Sequence, residues 1–173
     1  MCLVVSKKNI NRSFKKPSKP LIGFKVVTKN ESTGVISSWF NTFSWKLGKN
    51  VSDRKSITFL GKQMEREHLV VNFGFHFYSD IEDALEYCGI TPFSYHSNFT
   101  KLLLILVCKI SPKYFVASGR SNLFDCEVRQ DNSSYKGPPS FVASECDVIG
   151  VINELENVDC VKAKVKQILK TNK

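Results

Sequence analysis

The sequence predicts a single α+β domain with a mainly antiparallel or mixed sheet, one central helix and a C-terminal amphipathic helix. The chain has 173 residues, of which 42% are hydrophobic, and this is ordinary for one soluble core. Short apolar segments outnumber helical patterns, which favours a sheet. The longest apolar run, residues 102–108, is far shorter than the ~20 residues that cross a bilayer. We therefore expect no membrane segment and a cytoplasmic location, which is the host cytoplasm if the protein is viral.

Eight strands are predicted from alternating or continuous apolar residues. The continuous run that ends before Pro112 is typical of a central strand with both faces covered. Segments 118–125 and 131–140 are rich in Ser, Gly, Asn and Pro, and they predict loops. The predicted strands are residues 23–28, 34–39, 43–47, 70–78, 101–110, 115–117, 127–129 and 147–152.

A strand passes directly into a helix near the middle of the chain. Phenylalanines alternate with small or polar residues over positions 73–77, and Ser79 followed by Glu82 has the pattern of a capping box. The start of a helix presents unpaired N–H groups and a partial positive charge. We therefore predict that His76 and Ser79 contact an anionic ligand. A histidine that is only hydrogen-bonded within the strand is the alternative for His76.

The C-terminal segment predicts an amphipathic helix. Its apolar positions share one face, and lysines occupy the other faces. The apolar residues are Val161, Val165, Ile168 and Leu169.

Positive charge is concentrated at the start of the chain. The net charge is +9, and eight basic residues precede the first acid, Glu31. Such a stripe attracts phosphates and nucleic acid, and Pro17 and Pro20 disfavour a helix there. We predict a basic N-terminal arm over residues 1–20, followed by the α+β domain over residues 21–173. A solvated tail is the alternative interpretation.

The segment Gly74-Phe75-His76 resembles an uncharacterised domain found in phage, bacterial and giant-virus proteins. Short segments around residues 1–3, 23–27, 45–49 and 142–145 follow in the order expected of that group. The resemblance covers about residues 1–152, and it implies one compact domain and a viral or bacterial source.

A second resemblance is to the ADP-ribosyltransferase fold. Segments 24–28, 73–88, 102–110 and 145–152 follow that family's order of strands. The resemblance implies NAD as cofactor and a catalytic acidic pair formed by Glu145 and Asp147. It also places Lys25 where the family has Arg or His, and we therefore expect Lys25 to contact the ligand. The sequence departs from the pattern at Lys25 and at Asp147, which stands in place of a glutamate.

The spacing of the carboxylates gives a separate argument. Glu145 and Asp147 are two apart on a predicted strand and share a face, so mutual repulsion would raise one pKa and suit acid-base chemistry. A solvent-facing strand edge has the same pattern.

The segment around Arg120 combines glycine, a guanidinium group and hydroxyl groups. Such a combination suits phosphate binding, so we predict Arg120 as a ligand contact. An ordinary polar turn is the alternative.

Six cysteines are scattered without a Cys-x-x-Cys pair, so we predict reduced thiols and no metal site. Removal of Met1 would leave Cys2 with an amine that could activate its thiol, although an ordinary packed thiol is the alternative. The phosphate-binding, dinucleotide-binding, serine-hydrolase and zinc-protease motifs do not occur in the sequence.

Three functional classes remain open. The leading hypothesis is a phage-type accessory protein that counters host defence and binds a phosphorylated ligand, either a nucleotide signal or nucleic acid. It needs no cofactor. The second is an NAD-dependent ADP-ribosyltransferase-like enzyme. The third is a virion or protein-interaction component without a small ligand, which would bind a host or virion protein.

Overall fold

The computed structural model describes residues 2–6, 9–38, 43–52, 68–71, 74–90, 101–122, 137–153, 155 and 157–172. Strands dominate this part of the chain. A 3-10 turn, Pro112–Tyr114, joins two of the longest strands. In chain order the elements are β1 (Cys2–Ser6), α1 (Ile10–Ser13), β2 (Leu21–Asn30), β3 (Ile36–Ser37), β4 (Ser44–Trp45), β5 (Gly48–Val51), β6 (His68–Val71), β7 (Phe75–Tyr78), α2 (Ile81–Ile90), β8 (Lys101–Ile110), β9 (Phe115–Asn122), β10 (Pro139–Ala143), β11 (Glu145–Ile152) and α3 (Val158–Thr171).

The strands form one sheet in the order β5-β11-β8-β2-β7-β10-β9-β1-β6, and β3 and β4 extend it beside β2. Each pairing within the described residues is antiparallel. The protein is therefore a sheet-rich α+β domain with an antiparallel sheet.

The longest ladder joins β2 to β8 near the middle of the sheet. It runs from Leu21 opposite Ile110 to Asn30 opposite Lys101, and it places Lys25 opposite Leu106. Strand β8 has the bounds predicted from its apolar run, because a strand covered on both faces needs apolar residues at successive positions.

Successive side chains on the central strands β2 and β8 enter different cores. One core, cluster 1, lies on one face and includes Val27, Phe77 and Leu106. The other core, cluster 2, includes Phe24, Tyr78 and buried residues of α2 and α3. The alternation follows from the period of two along a strand. The two helices therefore cover the face opposite cluster 1.

The helices begin at polar caps. In α2 the Asp80 carboxylate accepts from the Glu82 N–H at 2.7 Å, so Asp80 caps the helix instead of the predicted Ser79. In α3 the Asn157 side chain accepts from Asp159 and Cys160 N–H groups. Three α-helices occur in the described residues, whereas the sequence predicts one central helix besides the C-terminal one. An ion pair between Lys162 and Glu82 joins α3 to α2.

Helix α3 has the predicted amphipathic character, with Val161 and Val165 buried. Within the described residues, no helix combines the length and apolar character needed to cross a membrane.

The first residues of the segment predicted as a basic arm contribute to the sheet. Residues 2–6 form β1, which lies between β9 and β6, and Leu3 and Val5 are fully buried. Burial of two apolar side chains and two-sided backbone pairing stabilise this strand.

Two predicted loops contain strand residues. Strand β9 continues to Asn122, and Pro139–Ala143 form β10. The predicted strand over residues 127–129 lies outside the described residues. The segment predicted as one strand over residues 70–78 contains two, β6 and β7, which pair in different parts of the sheet.

Candidate functional site

Lys25 lies on β2, in the ladder near the middle of the sheet, and its side chain extends from the face that carries cluster 1. Its neighbours Phe24 and Val26 contribute to cluster 2, and Val27 contributes to cluster 1. Alternation along the strand therefore places a lysine among the apolar side chains of cluster 1. Lys25 is half-buried, so part of its surface stays accessible.

The groups around Lys25 are apolar or weakly polar. Leu106 is its direct partner on β8, and the thiols of Cys108 and Cys146 lie close enough to affect its pKa. These two thiols also lie within hydrogen-bonding reach of each other, on the adjacent strands β8 and β11. We call Lys25, Leu106, Cys108 and Cys146 the Lys25 site.

The site rests on closely packed aromatic rings. A methyl group on Gly23 would approach Phe141 Cζ to 2.6 Å and Phe77 Cβ to 2.8 Å. These two phenylalanines stack with their ring centroids 5.4 Å apart. Glycine at position 23 thus lets the rings pack against the β2 backbone two residues before Lys25.

Desolvation dominates the electrostatics of Lys25. It lowers the pKa of the amine from 10.5 to about 8, and the opposing influence of the two thiols is smaller. Among the described residues, no carboxylate forms an ion pair with Lys25. A cation in this position lacks the counter-charge that normally offsets burial.

The same burial affects the thiols. Desolvation and the hydrogen bond with Cys146 raise the pKa of Cys108 well above its usual value, and the Lys25 charge opposes this only in part. Cys108 is therefore a neutral thiol near pH 7. In chemical terms, the site offers one amine that can be an ammonium or a free base, beside a poorly nucleophilic thiol.

His76 faces the other side of the sheet. It lies on β7 opposite Val142 and is 6% exposed, and its Nδ1 has no hydrogen-bond partner among the described residues. Desolvation and the charge of Lys25 lower the pKa of His76 well below 6.5, so the imidazole is neutral at physiological pH. The structure does not bring His76 and Lys25 to one face.

Ser79 and Arg120 lie near the acidic start of α2. The Ser79 N–H donates to the Pro139 carbonyl at 3.1 Å, and an Arg120 Nη1–H donates to the Gly137 carbonyl at 2.9 Å. Desolvation and the nearby Asp80 raise the pKa of Asp83, whereas the charge of Arg120 opposes this shift. Since Asp80 caps α2 and further acids occupy its first turn, the field of the helix start is already balanced by carboxylates.

Glu145 and Asp147 lie on the face opposite Cys146 and Val148, which belong to cluster 1. Glu145 forms a salt bridge with Lys49 at 2.9 Å, and Asp147 is exposed opposite Lys49 on β5. Desolvation would raise the pKa of Glu145, but hydrogen bonds from Lys49 and Tyr114 outweigh it and the net pKa is lowered. The ion pair with Lys49 therefore lowers the pKa of Glu145, whereas repulsion between the two acids would have raised it.

Cys2 pairs with Asn122 through the β1–β9 ladder. Its side chain lies outside the described part of the structure, so the predicted nucleophilic thiol stays a prediction. Across the described ranges, no cluster of three or more His, Cys, Asp or Glu residues could hold a metal ion. No protein-family model, curated protein or solved structure matches this chain.

The sequence predicts Lys25 as a ligand contact, but it does not predict that two thiols lie beside it. Cys108 and Cys146 come together only because β8 pairs with β11, and these strands are far apart in the sequence. A cysteine within an apolar run is also an ordinary core residue, so neither position carried a distinct signal.

Proposed function

We propose that this chain binds a small phosphorylated ligand at the Lys25 site, with the Lys25 ammonium as the main contact to the phosphate. One observation carries the proposal: Lys25 is only half-buried as a residue, its amine is largely desolvated, and among the described residues no carboxylate pairs with it. A bound anion would supply the missing counter-charge and offset the desolvation of the amine. A phosphate dianion supplies more Coulomb energy than a carboxylate at the same distance.

The shape of the charge distribution favours a small ligand over nucleic acid. Nucleic-acid binding depends on several phosphates contacted by several cations, whereas the Lys25 site offers one cation among apolar neighbours. The net charge of +9 raises the encounter rate with phosphorylated compounds of either kind. A nucleotide signal, one of the ligands expected from the sequence, is such a small phosphorylated ligand.

The direct test is thermal unfolding of the whole protein with a panel of phosphorylated compounds. The panel contains inorganic phosphate, AMP, a cyclic dinucleotide, NAD, ADP-ribose and a short oligonucleotide, and succinate serves as the carboxylate comparison. A ligand at about 100 times its dissociation constant adds roughly 2.7 kcal/mol, which raises Tm by about 5 to 10 °C for a chain of this size.

Substitutions on β2 supply the controls. Lys25→Met should abolish the ligand-dependent rise in Tm, whereas Lys29→Met should retain it, because Lys29 lies on the same strand and is also half-buried. A rise in Tm that survives in the Lys25→Met protein would contradict the proposal. A rise with the oligonucleotide alone would favour nucleic acid, and a rise with succinate alone would favour a carboxylate ligand.

A further inference from the structure

We infer that Lys25 also captures carbonyl compounds: its Nζ forms a reversible imine with an aldehyde or ketone group of the anionic ligand. The inference rests on the proposed function, because the bound anion would hold the carbonyl carbon beside the amine. The ligand class it implies is a small phosphorylated aldehyde or ketone.

The surroundings of Lys25 suit imine formation. The amine is carried by a strand paired on both sides and extends among apolar side chains, with part of its surface accessible. A fixed amine in an apolar setting is the usual environment of lysines that form imines with carbonyl substrates. No described carboxylate forms an ion pair that would hold the amine in its protonated form.

The protonation state of the site points the same way. The titratable groups that act on Lys25 are Cys108 on β8 and Cys146 on β11, and His76 lies on the other face of β7. With the pKa of Lys25 lowered to about 8, a substantial share of this amine is free base near neutrality in the unliganded protein, and a bound anion makes that share smaller. At pH 7.5 that share is about a quarter, compared with about 0.1% for an ordinary lysine. Cys108 stays a thiol, so it competes poorly for the carbonyl carbon.

The reaction requires no oxidant, reductant or metal. The nitrogen lone pair of the free-base Lys25 amine attacks the carbonyl carbon and forms a C–N bond, and a proton passes from the nitrogen to the carbonyl oxygen to give a neutral carbinolamine. A proton from solvent then lets the hydroxyl group leave as water while the nitrogen lone pair forms the C=N bond of a protonated imine. The net change is free amine plus carbonyl plus one proton to protonated imine plus water. The protonated imine carries one positive charge beside the phosphate, so it restores the ion pair that the free amine lacks.

Reductive trapping of the full-length protein tests the inference. Pyridoxal 5′-phosphate is added at pH 7.5 as an anionic aldehyde, sodium borohydride reduces any imine to a stable secondary amine, and the modified lysines are located by mass spectrometry. Pyridoxal, which lacks the phosphate, is the comparison. With the phosphate ester, the label on Lys25 should exceed that on Lys29 by about tenfold or more. Because pyridoxal closes to a hemiacetal and labels every lysine less, the two aldehydes are compared by the ratio of the Lys25 label to the Lys29 label, and this ratio should be smaller with pyridoxal than with its phosphate.

The variant Lys25→Arg keeps the charge but cannot form the imine, and it should lose only the label at position 25. Label on Lys25 that is no greater than that on Lys29 in the native protein would overturn the inference. This outcome differs from failure of the proposed function: phosphorylated ligands would then still raise Tm through Lys25. If the proposed function alone failed, the ratio of the Lys25 label to the Lys29 label would be the same with both aldehydes, and no phosphorylated compound would raise Tm.

Discussion

At the scale of single residues, the fold imposes a cost on the charge of Lys25. Its pKa is about 8 in the folded chain and near the ordinary 10.5 in the unfolded chain. Below pH 8 both states carry the proton, so the folded state bears the full desolvation cost. Between the two pKa values the folded chain loses the proton while the unfolded chain keeps it, and the free energy of unfolding therefore rises with pH.

This linkage gives a prediction for Lys25→Met. The free energy of unfolding of the native protein, minus that of the variant, should rise by roughly 1 kcal/mol between pH 7 and pH 9. Urea unfolding at several pH values measures it. The raised pKa values of Cys88 and Cys108 affect both proteins in the same direction, so the subtraction removes most of their contribution. Parallel profiles for the two proteins would show that Lys25 is not desolvated, and Lys29→Met serves as the matched control.

The residue scale also shows what sequence patterns can reveal about a site. Alternation along β2 places Lys25 on a face with Gly23 and Val27, and this much follows from the sequence. The sequence does not predict that His76 and Lys25 lie on opposite faces of the sheet, because this depends on how β2 pairs with β7. The sequence predicts Ser79 as the cap of α2, whereas in the structure Asp80 accepts the hydrogen bond from the Glu82 N–H.

At the scale of elements, the start of α3 depends on one side chain. The Asn157 Oδ1 accepts hydrogen bonds from the Asp159 N–H at 2.9 Å and from the Cys160 N–H at 3.1 Å. These bonds satisfy two N–H groups that otherwise lack partners within the helix. Since α3 covers cluster 2, its cap supports the packing behind the sheet.

Removal of this cap should lower the stability of the whole protein. Asn157→Ala should reduce the free energy of unfolding by about 1 kcal/mol, whereas Asn157→Ser keeps an acceptor oxygen and should recover most of the loss. Chemical unfolding measures both variants. Equal stability of the alanine and serine variants would indicate that the cap contributes nothing.

Elements also differ in how far the sequence determines them. The apolar run of β8 predicted its bounds, because burial on both faces leaves a continuous signal. Only the first two residues of β10, Pro139 and Ser140, fall in a segment that the sequence predicts as a loop. Pairing of β10 with β7 on one side and β9 on the other makes them part of the strand, and that tertiary contact outweighs local preference.

At the scale of the whole molecule, the first strand connects distant parts of the chain. Leu3 on β1 lies opposite Ser121 on β9 and opposite Val71 on β6. The basic character of the first twenty residues predicted an arm, but the apolar residues among them have a place in the core. A charge pattern describes the surface of a segment and says little about which of its residues pair in a sheet.

The whole-molecule role of β1 can be measured with Leu3→Ala. Leu3 is 0% exposed, so the substitution should lower the free energy of unfolding by about 2 to 4 kcal/mol. Ile10→Ala is the comparison, because Ile10 is 40% exposed and its loss should change stability by less than about 0.5 kcal/mol. If the Leu3 variant were as stable as the Ile10 variant, the first residues would act as the predicted arm.

The central claim is that the Lys25 ammonium binds a phosphorylated ligand, and an NMR titration of the Lys25 amine tests it most directly. The titration is done alone and then with the phosphorylated compound that raises Tm most. We predict that the pKa of the Lys25 amine is about 8 in the free protein and higher in the complex, because the anion favours the charged amine. An ordinary lysine pKa in the free protein, or a pKa that the ligand leaves unchanged, would contradict it.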